Sequence, residues 1–226
     1  MAQALKLYYD FLSPPSRAVW LALKLSKTQF EACPVALRKR EQLTDEYKKI
    51  NRFQKLPALV DGSFHLSESV AMIRYLADKN QLNQQIYPKD LETRARVDEY
   101  LMWQFQNVHV PCGTYFLKGW LLPINGLAPK PKPEVVAKLV KDVETSLDLL
   151  ERFWMNDDYL VGDKLTVADL SCSSEIEQLR LCQFHVNERQ FPKVAKWLER
   201  VRNATKPYND IAYEFVNQKA KQAAKL

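Results

Sequence analysis

The alternation of hydrophobic and polar residues divides the chain into a mixed first part and a helical second part. Apolar runs at 5–11, 30–37 and 56–60 and the alternating segment 63–66 have the length of strands. Helical spacing fills the intervals at 17–25, at about 41–50 and after residue 66. The order βαβαββα predicts an α/β unit with a mixed four-stranded sheet, because a parallel crossover needs its own helix.

Beyond about Lys79 the pattern becomes helical. A polar segment with Pro88 predicts a linker at 82–90, between an N-terminal domain of residues 1–81 and an all-helical domain of residues 91–226. Pro111 should bend or break a helix at 91–117, and a stretch with four prolines at 119–133 is expected to be a loop. The remaining helices are expected at 134–154, 166–183, 191–205 and 207–219.

Segment 56–76 carries the clearest local signals. The Asp-Gly pair at 61–62 predicts a hairpin, and the Ser-Glu-Ser sequence at 67–69 offers capping side chains to the helix that follows. The first amides of such a helix have no internal partner and lie at the positive end of its dipole, so Glu68 and Ser69 lie where a carboxylate could bind. The alternative is an ordinary capped junction in a fold core.

Pro57 stands at the head of the buried strand, where a proline cannot join the ladder. We expect its peptide bond to be cis, which would turn the backbone of Leu56 toward an extended peptide ligand. Further along, Thr166 and Asp169 are spaced for a capping box, with Leu165 and Leu170 as its staple. Asp169 is therefore interpreted as structural.

Composition excludes several classes of protein. The 226 residues are 46% hydrophobic and 27% charged, which is typical of a globular protein, and the charge of 33 minus 27, or +6, is too dispersed to favour nucleic-acid binding. The four cysteines form no CxxC pair, and with three histidines they have no zinc spacing, so we expect no metal and reduced thiols. The absence of a signal sequence or membrane-length run predicts a cytoplasmic protein without a membrane contact.

Ser13 is the candidate catalytic residue. It lies between the carboxyl end of the first strand and the first helix, where open α/β sheets bind ligands. With Pro14 at the first helical position it is also a good N-cap, and Ser16 is a competing cap, so a purely capping role remains open. Tyr8 and Tyr9 lie inside the strand and are expected to be core residues.

Five segments together resemble the cytosolic glutathione transferases, most closely the theta class. They are YYDFLSPPSRAVW, INRFQKLPALVDG, LSESVAMIRYLADK, YPKDLETRARVDEYLMWQ and LVGDKLTVADL, and they are spread over nearly the whole chain. The resemblance implies a thioredoxin-like N-terminal domain, an all-helical C-terminal domain, a homodimer, and glutathione as co-substrate. It also implies that the Ser13 hydroxyl stabilises the glutathione thiolate.

The resemblance assigns glutathione binding to Gln42, Lys55, Leu56, Glu68 and Ser69. The last two match the pair that holds the γ-glutamyl end, and Leu56 matches the backbone clamp on the cysteinyl residue. Gln42 stands where theta proteins often have histidine near the glycyl end. An electrophile site is expected to be lined by Leu12, His109, Cys112 and Phe116, although an apolar stripe at helical spacing is also typical of plain core.

The resemblance predicts an enzyme that conjugates glutathione to small hydrophobic electrophiles such as alkyl halides, epoxides and activated alkenes, with organic hydroperoxide reduction as a second activity. His109 stands where some theta members have an arginine that helps with substrates, so no sulfate-ester activity is expected. Exposed Phe53 is expected to contact a partner subunit. A transferase-like scaffold is the non-enzymatic alternative. A glutaredoxin-like oxidoreductase would need a cysteine in place of Ser13.

Overall fold

Four short strands form one mixed sheet in the computed structural model, which describes residues 4–223. The strands are β1 (Lys6–Tyr9), β2 (Glu31–Pro34), β3 (Ala58–Asp61) and β4 (Phe64–Leu66), in the spatial order β2-β1-β3-β4. β1 is parallel to β2 and antiparallel to β3, and β3 and β4 form a hairpin. The predicted mixed sheet is confirmed, although β1 and β2 end two and three residues before their apolar runs and β3 begins two residues later than its run.

The helices of the first domain are α1 (Pro14–Leu25), α2 (Asp45–Ile50) and α3 (Ser69–Asp78), with 3₁₀ turns at Leu37–Lys39 and Glu41–Leu43. α1 begins three residues earlier than predicted, because Ser13 caps it and prolines fit the first helical turn. α2 begins four residues later than predicted. Its cap is Thr44, whose hydroxyl accepts a hydrogen bond of 3.2 Å from the Tyr47 amide.

The second domain is helical, as predicted. Its helices are α4 (Leu91–Gln104), α5 (Val110–Phe116), α6 (Leu122–Ile124), α7 (Pro133–Phe153), α8 (Val167–Gln178), α9 (Pro192–Ala204) and α10 (Tyr208–Ala223). A 3₁₀ turn, Leu179–Cys182, follows α8. α8 is buried along its whole length and packs against α1, so it joins the two domains.

Two π-helical segments, Phe105–His109 and Leu117–Leu121, correct the sequence prediction for this region. Pro111 does not break the helix, and the expected loop at 119–133 is still helical up to Ile124. A proline lies two residues after the end of each π segment, Pro111 after the first and Pro123 after the second. The wider turn accommodates a ring that would otherwise clash with the carbonyl four residues earlier.

Asp169 at the start of α8 is fully buried and holds the second domain together. Its carboxylate accepts hydrogen bonds from the Thr166 amide at 2.8 Å, the Leu160 amide at 2.9 Å and the Trp197 indole at 2.8 Å. The capping box is thus present, as predicted, and the same carboxylate also joins the preceding loop and α9 to α8.

Across residues 4–223, no helix combines the length and the apolar character that a bilayer crossing requires. The same residues contain no group of three or more histidine, cysteine or acidic side chains that could hold a metal ion.

Candidate active site

The Ser13 hydroxyl lies at the junction of the first helix and the third strand. Ser13 is 9% exposed and caps α1, where its Oγ accepts a hydrogen bond of 3.3 Å from the Ser16 amide. The same hydroxyl donates to the carbonyl oxygen of Leu56, also at 3.3 Å. Two sequence-predicted site residues are therefore brought into contact, and the two readings of Ser13, as a cap and as a donor, are compatible.

Asp10 builds the turn that presents Ser13. Its carboxylate accepts from the Leu12 amide at 2.8 Å and from the Leu37 amide at 2.9 Å, and its carbonyl accepts from the Ser13 amide at 2.9 Å. Sequence reasoning did not single out this residue. The signal was an aspartate at the end of a strand, which commonly bonds to its own backbone two residues later.

The first turn of α1 has few amides that could meet an anion. Pro14 and Pro15 have no N–H group, the Ser16 amide is bonded to Ser13 Oγ, and the Arg17 amide is bonded to the Ser13 carbonyl at 3.1 Å. The helix therefore offers an anion near Ser13 its dipole but no free amide from this turn. The Ser13 hydroxyl is the donor that this turn presents.

The peptide bond between Leu56 and Pro57 is cis, as predicted. The carbonyl of the preceding Lys55 accepts from the Tyr47 hydroxyl and from the Asn51 side-chain amide, both at 2.8 Å. Asn51 is almost fully buried, so it fixes the loop that leads to Leu56. Sequence reasoning did not single out Asn51 as the residue that organises this loop.

Glu68 is the N-cap of α3, and its φ of 67° is in the region that L side chains rarely adopt. The expected side-chain cap is wrong: among the described residues no side chain accepts a capping hydrogen bond from the start of α3, and the Ser67 hydroxyl donates to Asn51 at 2.7 Å instead. The first amides of α3, including that of Ser69, thus remain available for a ligand carboxylate. Strained backbone at a non-glycine residue often marks a functional position.

The hairpin turn is tied to α3 by Asp61. Its carboxylate accepts from the Tyr75 hydroxyl at 2.8 Å and forms an ion pair with Lys79. The hydrogen bonds from Lys79 and Tyr75 hold the pKa of Asp61 below its usual value. These contacts, called the Asp61 latch, fix the end of α3 against the hairpin of β3 and β4.

Lys55 is exposed, and Gln42 is half-buried inside the second 3₁₀ turn, Glu41–Leu43. The Gln42 side-chain oxygen is buried and has no hydrogen-bond partner, which marks it as an unsatisfied polar group beside the loop that Asp10 anchors. This oxygen is an acceptor, so it can pair only with a donor such as a backbone N–H group.

The four expected electrophile-site residues lie on three segments: the turn after β1, the first π segment and α5. Leu12 follows β1 and is buried, and Cys112 and Phe116 are buried on α5. His109, at the end of the first π segment, is half-exposed, and its Nδ1 lies 2.8 Å from Oε1 of Glu175 on α8. The hydrogen bond with Glu175 raises the pKa of His109, burial opposes it, and Glu68 adds to the increase.

Arg17 is a buried residue that sequence reasoning placed on α1 without a role. Its guanidinium donates to the Phe11 and Ser174 carbonyls and to the Gln178 side chain, and it lies 4.9 Å from the centre of the Tyr213 ring. The Arg17 guanidinium therefore connects the turn before Ser13 to α8 and α10. Nothing in the local sequence distinguishes it from a surface arginine.

Comparison with protein families agrees with both domains. The model of the glutathione S-transferase N-terminal domain matches residues 7–84, and that of the C-terminal domain matches residues 106–204. Glutathione S-transferase theta-1 of Mus musculus is 36% identical over 201 residues, and theta-1 of Homo sapiens is 37% identical over 201 residues. Each alignment covers 88% of this chain and 83% of the relative.

Solved structures show the same architecture. Human glutathione-S-transferase T1-1, in its apo form, has a TM-score of 0.89 at 34% identity, with 96% of this chain and 91% of the other covered. Human glutathione transferase theta-2, in complex with glutathione and an unknown ligand, has a TM-score of 0.88 at 32% identity, with coverages of 98% and 90%. The predicted fold, a thioredoxin-like domain followed by a helical domain, is confirmed.

Proposed function

The chain belongs to the theta class of the glutathione S-transferase family, and on that premise we propose that it conjugates the thiolate of glutathione to small hydrophobic electrophiles. Family membership supports glutathione transferase activity in general. The observation that carries the more specific proposal is the position of the Ser13 hydroxyl, 3.3 Å from the backbone of Leu56 at the cis peptide.

A free thiol has a pKa of ~8.5, so roughly 3% of glutathione is thiolate at neutral pH. Lowering that pKa by about two units requires ~2.7 kcal/mol of preference for the anion. A hydroxyl that donates to charged sulfur contributes ~1.5 to 3 kcal/mol, and the dipole of α1 adds ~0.3 to 1 kcal/mol. Ser13 therefore supplies most of the required stabilisation.

Glutathione is proposed to bind along the surface formed by the segment just before β3 and the start of α3. Leu56 offers its backbone to the cysteinyl residue, while Glu68 and Ser69 receive the charged γ-glutamyl end. Lys55 and the unsatisfied Gln42 lie toward the glycyl end. Asn51 supports this proposal, because its side chain holds the two parts of the site together. It forms hydrogen bonds both with the loop before Leu56 and with Ser67.

The electrophile is proposed to bind between the turn after β1 and the π-helical region, near Leu12, His109, Cys112 and Phe116. Three of these side chains are apolar, which favours alkyl halides, epoxides and activated alkenes over charged substrates. Organic hydroperoxides are proposed as further substrates, because the same thiolate can attack a peroxide oxygen.

The proposal is tested by turnover with a panel of these electrophiles, with purified protein and glutathione, and with Ser13→Ala as the comparison. Conjugation by the native chain that falls strongly in the variant supports it. No turnover with any member of the panel overturns it. If calorimetric titration detects no glutathione binding, the result would favour the alternative of a transferase-like scaffold without enzymatic activity.

A redox function has less support. Burial raises the pKa of Cys112, Cys172 and Cys182, whereas a redox-active thiol needs a lowered pKa. All four cysteines are free, and Cys33 is half-buried on β2. Trapping of a mixed disulfide between glutathione and the native chain would instead support a thiol oxidoreductase function.

We also propose a cytoplasmic homodimer, with the domain division at 82–90. Phe53 is 51% exposed beside Arg52, and Met102 and Phe105 are exposed near the end of α4, which is unusual for large apolar side chains with no partner surface. Sedimentation is expected to show a dimer that Phe53→Ser weakens. A monomer at micromolar concentration would contradict this proposal.

A further inference from the structure

His109 and Glu175 form a partly buried acid pair that thiolate stabilisation does not use. Glu175 lies on α8 and is 4% exposed. Its Oε1 forms a hydrogen bond of 2.8 Å with Nδ1 of His109. The His109 side chain is 37% exposed, so part of the ring is open to solvent. A carboxylate bonded to Nδ1 leaves Nε2 as the free position of the imidazole and stabilises its protonated form.

Local structure holds this ring in place. His109 ends the π segment Phe105–His109, and its ring stacks on Phe105 with the centroids 5.5 Å apart and the planes at 24°. π-helical turns are frequent at functional sites. Glu175 directly follows Ser174, whose carbonyl accepts from the Arg17 guanidinium, and Arg17 also donates to the Phe11 carbonyl in the turn before Ser13. These hydrogen bonds connect the segment of α8 that holds His109 to the turn that carries Ser13.

We propose that His109, positioned by Glu175, donates a proton to the leaving oxygen of an epoxide during attack by the glutathione thiolate. This inference rests on the proposed function. The sulfur forms a bond to an epoxide carbon, the carbon–oxygen bond breaks, and its electron pair goes to oxygen. That oxygen takes the proton from Nε2, and solvent then returns a proton to the neutral imidazole. His109 is thus a catalytic residue, and Glu175 is a positioning residue.

Alkyl halides give a direct contrast. A halide leaves as a stable anion and needs no proton, so the loss of His109 as an acid should affect its reaction much less. An alkoxide is strongly basic, and a positioned acid typically accelerates such steps about 100-fold or more. The structure therefore predicts that His109 favours epoxides over halides of similar size.

The experiment compares kcat for a small aryl epoxide and an aryl alkyl halide in the native chain and in His109→Gln. The matched control is His185→Gln, an exposed histidine in the loop before α9. In His109→Gln the ratio of epoxide to halide turnover is expected to fall roughly 100-fold. The control is expected to keep the native ratio. Equal losses with both electrophiles would overturn the proposal, because they would indicate a merely structural role.

The pH dependence provides a second readout that does not need the His109 variant to fold. The carboxylates that act on the ring are Glu175 from α8 and Glu68 from the head of α3, and both favour the protonated form. The native epoxide-to-halide ratio should therefore fall as pH rises through the raised pKa of His109, since thiolate ionisation cancels in the ratio. Glu175→Gln should move this fall to lower pH.

Two outcomes distinguish failure of the proposed role of His109 from failure of the proposed conjugation activity. A native ratio that is independent of pH, with conjugation of both electrophiles intact, would overturn the role of His109 alone. Absence of conjugation with either electrophile would overturn the proposed function as well.

Discussion

The hydroxyl of Ser13 donates a hydrogen bond to the carbonyl oxygen of Leu56, 3.3 Å away and 43 positions later in the chain. A hydroxyl has one proton, so donation to a sulfur requires that this bond be given up. The acceptor side of the same oxygen is occupied by the Ser16 amide, which strengthens the hydroxyl as a donor. Ser13 is thus held in place as a cap while its proton can be redirected.

Removal of this hydroxyl should affect catalysis more than binding. We expect Ser13→Ala to lower kcat/KM for conjugation at pH 6.5 by about 10- to 100-fold, the equivalent of ~1.5 to 3 kcal/mol of lost thiolate stabilisation. The matched control is Ser16→Ala, in the same turn, whose own hydroxyl is buried without a partner. Steady-state kinetics with glutathione varied would check this, and equal losses in both variants would contradict it.

Substitutions of Glu68 should affect the stability of the fold and the affinity for glutathione differently. Its backbone has φ of 67°, so Glu68→Gly should be more stable than Glu68→Ala by about 1 kcal/mol in urea unfolding. Both variants lose the carboxylate and should weaken glutathione binding about 10-fold or more by calorimetry.

The control for these two variants is Asp78→Asn, at the exposed end of the same helix. It removes a carboxylate of α3 but should retain native affinity for glutathione. Native affinity in Glu68→Gly would show that the strained residue is not part of the glutathione site.

The Asp61 latch predicts a pH-dependent contribution to stability. Its folded-state pKa is lowered by Lys79 and Tyr75, so its contribution is present above the unfolded value of about 3.9 and is lost as pH falls through the folded value. Asp61→Asn should therefore be less stable than the native chain by about 1 kcal/mol at pH 7, with the difference closing in acid. Urea titrations across this range would check it; a difference that persists below the folded pKa would argue against the latch.

Asp169 should be structural and nothing more. Asp169→Asn replaces an acceptor of several buried hydrogen bonds with a group that is half donor, and we expect it to lose about 3 kcal/mol of unfolding free energy. Asp163→Asn, exposed in the preceding loop, is the control and should lose little. A loss below about 1 kcal/mol for Asp169→Asn would refute the assignment.

The sequence predicted the individual strands, the cis Pro57 and the capping box because each depends on residues within a few positions of one another. It failed at the π segments, where the wider turns that accommodate Pro111 and Pro123 leave no mark in apolar spacing. It also failed to identify Arg17 and Glu175, whose partners lie on distant elements. Burial of such charges depends on how the domains pack together, which local patterns do not encode.

The most direct test of the central claim is an ultraviolet difference titration of glutathione bound to the native chain and to Ser13→Ala. The native complex should show the thiolate absorbance with an apparent thiol pKa of about 6.5, roughly two units below that of free glutathione. In Ser13→Ala that pKa should return by at least one unit toward the free value. Identical titration curves for the two proteins would show that the Ser13 hydroxyl does not stabilise the thiolate.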